Sequence, residues 1–144
     1  MGQKVNPIGL RLALNKNWSS RWYAAKACFG DWLHEDLKIR TYIKKNFGQA
    51  GISKIVIERY SSNVRITILA ARPGLLIGRK GAELEQLRGS VAKLLPGREV
   101  ILDVVEVKRP EINAQLVSES IALQLEKRIG FRRAMKKAIQ RLAV

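Results

Sequence analysis

"GLLIGRKGAEL", from Gly74 to Leu84, sets two cations, Arg79 and Lys80, between two glycines, Gly78 and Gly81. An apolar run precedes the glycines and an amphipathic run follows, which predicts a tight turn joining two short helices. Glycine accepts such a turn, and its missing Cβ lets another backbone come close. The helix after the turn directs unpaired N–H groups and the positive end of its dipole toward it. Arg79 and Lys80 add full charges, so the stretch predicts a phosphate-facing turn. Spacing excludes two nucleotide motifs. A P-loop needs four residues between its glycines and then Lys followed by Ser or Thr. Here three residues separate Gly74 from Gly78, and Arg79 follows. A dinucleotide fingerprint fails on the same spacing. A GxxG alone fits a surface turn with incidental charges equally well, so its surroundings decide.

Downstream, residues 82–95 predict a helix, with Leu84, Leu87, Val91 and Leu94 on one stripe. Pro96 and Gly97 close it. "EVILDVVEV", residues 99–107, is almost continuously apolar and predicts a well-buried strand. Upstream, "ISKIVIERY" (52–60) and "VRITILAA" (64–71) predict a hairpin across a short polar turn. Before it, residues 31–47 predict a helix capped by Asp31 and ended by Gly48. Its expected apolar face is Trp32, Leu33, Leu37, Ile39, Ile43 and Phe47. Asp36 and Arg40 interrupt that face at a spacing that lets them pair. The resulting order is helix, strand, strand, short helix, helix, strand.

The ends differ from this centre. Residues 1–30 hold Lys4, Arg11, Lys16, Arg21 and Lys26 and no acidic residue. Pro7, Gly9, Asn15 and Asn17 break any periodicity, so an irregular basic arm with one short helical turn is expected. Its apolar residues, among them Trp18, Trp22 and Tyr23, argue for partial packing on the domain or on a partner. From Asn113, a plausible N-cap, a helix is expected with Ala114, Val117, Ile121, Leu125 and Ile129 on one stripe. After Gly130 a last helix sets Phe131, Met135, Ala138, Ile139 and Leu142 against Arg132, Arg133, Lys136, Lys137 and Arg141. The final 18 residues hold seven cations and no anion.

Over 144 residues there are 27 Lys+Arg against 12 Asp+Glu, a net charge of +15. That excess repels itself in an isolated fold and points to a polyanionic partner. No uncharged run exceeds eight residues, which excludes a membrane-spanning helix. The N-terminus lacks a secretory apolar region, and Asn6 stands where a myristoylation motif needs Ser or Thr. A cytoplasmic location is therefore expected. One cysteine, Cys28, allows no internal disulfide. A single histidine, His34, with no cysteine beside it, gives no zinc set. The carboxylate pairs Glu35/Asp36 and Glu83/Glu85 suggest no catalytic arrangement, so no enzyme, cofactor, metal or small-molecule substrate is expected.

A GxxG turn between two short helices, after a hairpin and within that element order, resembles the KH domain of the second, prokaryotic type. That family clamps nucleic-acid backbone with its GxxG loop. The resemblance implies an RNA-binding loop at Gly78, Arg79, Lys80 and Gly81, and a base groove lined by Ile77, Leu84 and part of strand 99–107. It extends along the chain: "MGQKVNPIGLRL", "WYA", "EDLKIRTYI", "PGLLIGRKG" and "FRRAMKKA" occur together and in order. In this the sequence is similar to the bacterial type of the small-subunit ribosomal protein three family.

The likeness implies an α+β fold in three parts: a basic arm (1–30), a type II KH domain (31–109) and a helical segment (110–144) that starts a truncated second domain. It implies a place in the head of the small ribosomal subunit, held on small-subunit ribosomal RNA beside neighbouring head proteins such as proteins ten and fourteen. Arg132, Arg133 and Lys136 are then expected to face messenger RNA where it enters. For the arm, Lys4, Arg11, Lys16, Arg21 and Lys26 are the expected ribosomal RNA contacts. The alternative is a free-standing KH regulator of single-stranded RNA.

Overall fold

The computed structural model describes residues 2–12 and 14–142, with the side chains of Lys80 and Leu142 outside that description. The arm opens with a short helix, α1 (Pro7–Arg11). Asn6 caps it by accepting from the Ile8 amide at 3.0 Å, and Pro7 suits the first helical position. The arm then does more than expected. Ser20–Arg21 form β1, which lies parallel to β2 (Ile52–Arg59) and extends the sheet. Helix α2 spans Lys26–Phe47, with Ala25 at its N-cap and Gly48 at its C-cap. Asp31 is therefore inside the helix and caps nothing, which corrects the expected start.

β2 and β3 (Asn63–Ala70) form the antiparallel hairpin. After β3 come α3 (Gly74–Ile77) and, across a single 3-10 turn at Arg79–Gly81, α4 (Ala82–Leu94). β4 (Glu99–Glu106) lies parallel to β3, so the sheet order is β1-β2-β3-β4. α5 (Ala114–Glu126) and α6 (Phe131–Leu142) follow. This is the α+β arrangement expected, with the helix–strand–strand–helix–helix–strand centre intact.

Register explains the core. Ile57 pairs with Ile66, Ile55 with Ile68, and Val64 with Val100, so these residues share one sheet face. All are buried, together with Ile39 and Ile43 of α2, Leu76 of α3, and Leu87 and Val91 of α4. Each fully buried Val, Leu or Ile contributes roughly 1.5–3 kcal/mol.

Two sequence expectations fail here. Leu33 and Leu37 are exposed, whereas Asp36 is buried. The inward stripe of α2 runs through Trp32, Asp36, Ile39, Ile43 and Phe47, a spacing of three to four residues that the acid at 36 disguised. Strand 99–107 is also not well buried. β4 is the sheet's edge, with Val100 inside but Asp103, Val105 and Glu106 exposed. Its apolar run is continuous because Leu102 and Val104 pack on the core while Ile101 and Val105 occupy the opposite face.

Candidate nucleic-acid interface

Three surfaces carry the residues singled out by the sequence. At the first, α3 ends on Gly78, whose amide donates to the Gly74 carbonyl at 2.9 Å. Gly78 has φ +67 and ψ −169, and Gly81 has φ +81 and ψ 5. Both lie where a side chain is strained, so the two glycines are a backbone requirement. Leu76 is buried and pins α3 to the core, while Leu75 and Ile77 remain exposed beside it. Leu84 is half-buried. Arg79 is exposed at the tip; the expected role of Lys80 falls on a side chain outside the description.

The second surface is the arm. Lys4, Arg11, Lys16 and Arg21 are exposed, as is Lys26, which the structure makes the first residue of α2 rather than part of an irregular arm. Arg11 Nη1 donates to the Pro7 carbonyl at 3.2 Å, and Arg21 Nη1 pairs with Glu58 Oε1 at 2.9 Å. The sequence did not reveal what holds this arm. Arg40 donates from Nη2 to the Ser19 carbonyl (2.8 Å) and to Ser20 Oγ (3.0 Å), and from Nη1 to the Ile55 carbonyl. Lys54 Nζ donates to the Asn17 carbonyl at 3.0 Å. Burial holds the Arg40 guanidinium below the usual arginine range, opposed by Asp36. Lys54 is also lowered, by burial first and then by Arg21, Arg40 and Lys16. The base of the arm thus concentrates positive charge.

Beneath it lies a buried cluster. The Asp36 carboxylate, 1% exposed, accepts from Arg59 Nε (3.0 Å) and Nη2 (2.6 Å), Trp22 Nε1 (2.8 Å) and Ser20 Oγ (3.2 Å). Arg59, whose side chain is 0% exposed, also pairs with Glu35 at 2.7 Å and donates to the Trp32 carbonyl at 3.1 Å. Its guanidinium lies 5.7 Å from the Trp22 ring centroid and 5.3 Å from that of Trp32. Arg98 stacks 4.4 Å above Trp32. The expected direct Asp36–Arg40 pair gives way to this arrangement: Asp36 is committed to Arg59, and Ser20 bridges it to Arg40. A strand residue, Arg59, outcompetes the helical neighbour because β2 faces Asp36 at the core.

The third surface is α6. Arg132, Arg133 and Lys136 are exposed, with Arg132 5.7 Å from the Phe131 ring centroid. Asn113 caps α5 as expected, accepting from the Gln115 and Leu116 amides at 3.1 and 3.4 Å. The expected apolar stripes bury less than their periodicity suggests. α6 seats Ala134 and Ala138 inward, leaving Phe131, Met135 and Ile139 exposed. On α5, Leu116 is buried and Val117 and Ile121 are half-buried, whereas Ala114 and Leu125 are exposed; Ile129, expected on this stripe, lies beyond the end of the helix and is exposed. The small alanines fit where α6 approaches α5 and the Pro110–Ile112 turn; the larger side chains do not. Leu142, expected on this stripe, has its side chain outside the description. A cleft of about 350 Å³ is lined by these helices together with Gly51, Ala71 and Arg72.

Among the described residues, no group of three His, Cys, Asp or Glu side chains is placed to hold a metal ion. No described helix is long and apolar enough to cross a membrane. Cys28 and His34 are exposed.

A GxxG turn between α3 and α4, two helices packed on a sheet whose β3 and β4 run parallel, defines the class. Residues 38–112 match the family model described as KH domain, and the chain belongs to that family. Its likeness to small-subunit ribosomal protein three, legible in the motifs, is upheld over nearly the whole chain. It is 54% identical over 139 residues to small ribosomal subunit protein uS3 of Desulfatibacillum aliphaticivorans, covering 96% of this chain and 63% of that protein. It is 57% identical over 139 residues to the protein of the same name from Syntrophus aciditrophicus strain SB, with the same coverage. The protein of that name from Caulobacter sp. strain K31 is 55% identical over 140 residues, covering 97% of this chain and 56% of its own length. The chain thus spans under two thirds of these curated relatives.

Proposed function

We propose that this chain is a structural, non-catalytic RNA-binding component of the small ribosomal subunit in the cytoplasm. Its likeness over 96–97% of its length to proteins named for that subunit carries the reading. The geometry supplies a means. The arm's Lys4, Arg11, Lys16, Arg21 and Lys26 neutralise phosphates of small-subunit ribosomal RNA in the head, with Arg40 and Lys54 fixing the arm's base. The turn at Gly78–Gly81 brings Arg79 and Lys80 to a second stretch of backbone. Arg132, Arg133 and Lys136 face incoming messenger RNA, holding phosphates without consuming nucleotide. The arm (1–30), the KH unit (31–109) and the helical segment (110–144) act as three contact regions, beside head proteins such as proteins ten and fourteen.

A net charge of +15 is then balanced by the partner, since cations released from RNA drive the association. The test is sedimentation of the tagged chain in a sucrose gradient. Comigration with small subunits, reduced by reversing charge at Lys16 and Arg21, is expected. A chain found only in the light fractions refutes the proposal.

A further inference from the structure

Glycine at position 78 was expected to leave its backbone bare for an incoming strand. In the structure that space is filled from within the chain. A Cβ built on Gly78 meets Glu83 Cγ at 2.7 Å, Cβ at 2.9 Å and Cδ at 3.0 Å. Glu83, the second residue of α4, therefore packs its side-chain carbons on Gly78, and only glycine admits them there. Gly81 differs: among the described residues nothing lies within 4 Å of a Cβ built there. Glu85, on the same helical turn, leans elsewhere, 4.0 Å from Arg88 Nη1.

The first turn of a helix favours negative charge, whether a side-chain carboxylate or a phosphate. Two anions thus compete for one face of the turn. We infer that Glu83 is an internal competitor that sets the affinity of the Gly78–Gly81 turn for nucleic-acid phosphate. A phosphate approaching Gly78 from the side of its missing Cβ meets the Glu83 side chain, so its carboxylate weakens the hold of the turn on RNA. The inference rests on the reading of this turn as a phosphate-binding surface.

The test uses the full chain and a fluorescein-labelled 12-nucleotide single-stranded RNA of mixed sequence, followed by fluorescence anisotropy at low salt. Glu83→Gln keeps the side-chain volume and removes the charge; it is expected to tighten binding about two- to fivefold. Glu83→Ala is expected to tighten it at least as much, and Glu85→Gln to change it far less. The Glu83→Gln gain should vanish when Arg79 and Lys80 are both replaced by Asp. Thermal melts establish that each variant is folded. Equal tightening by Glu83→Gln and Glu85→Gln overturns the inference, because the effect is then one of net charge. Unchanged or weaker binding by both Glu83 variants, with binding still lost in the Arg79/Lys80 reversal, overturns it while leaving the turn's role standing. Binding indifferent to that reversal removes the turn's role, and the inference with it.

Discussion

Replacing Asp36 with Ala tests whether the arm and the KH sheet are one folding unit. The substitution removes four hydrogen bonds: two from Arg59, one from Trp22 and one from Ser20. Arg59 stays buried with Glu35 and the Trp32 carbonyl as its remaining polar partners. Breaking one side of a buried ion pair costs about 3–5 kcal/mol. Retention of Glu35 places this case at the low end, roughly 3 kcal/mol. The orphaned Trp22 N–H adds about 1 kcal/mol. At an unfolding entropy of about 2 cal/mol/K per residue, a loss near 4 kcal/mol lowers Tm by roughly 13 °C. Calorimetry at pH 7 measures it, with Arg21→Ala as control. That residue's exposed pair with Glu58 should be worth about 0–1 kcal/mol. Limited trypsin digestion should also cut faster after Arg21 in the Asp36 variant. A Tm within 2 °C of the parent, with Arg21 equally protected, refutes the reasoning.

Other expectations follow from the same contacts. Removing residues 2–16 should leave Tm nearly unchanged, whereas removing residues 2–25 strips β1 and Trp22 and should cost at least about 2 kcal/mol by urea denaturation. The Lys54 pKa is lowered in the folded chain, so above that value and below about 10.4 the unfolded chain binds more protons. Lys54 therefore makes stability rise with pH in that window, and Lys54→Met should flatten the rise in Tm measured from pH 8 to 10.5. Reversing charge at Arg132, Arg133 and Lys136 should slow translation of structured messages more than unstructured ones; equal slowing removes their proposed role.

The element order was legible because the turn residues and hydrophobic periods were local: Gly78, Gly81, Pro73 and the alternating strand at 64–70 each declare themselves. The arm was not. Ser20–Arg21 become a strand only because β2 offers a free edge, and nothing within two residues announces a long-range partner. Asp36 looked like an interruption because burial of an acid depends on Arg59, distant in sequence. The candidate cations were readable as surface charges, and those described are exposed. Arg40 and Lys54 were missed as supports because a lysine or arginine serving backbone carbonyls looks, in sequence, like any other cation. The role of Glu83 was hidden for a similar reason: solvent exposure says nothing about which glycine a side chain rests on.

The small parallel strand at Ser20–Arg21 has a further consequence for the molecule before it meets a partner. It covers the Ile57–Glu58 part of one flank of the sheet, where β2 would otherwise offer unsatisfied main-chain groups to any passing chain. The opposite flank, β4, stays uncovered but carries Glu99, Asp103 and Glu106. Asp103 pairs with Arg65 at 3.6 Å and Glu99 with Arg88 at 3.7 Å, so the flank displays charged side chains of both signs, which discourage edge pairing. Charged side chains on the edge strand thus guard the chain against fibrous assembly.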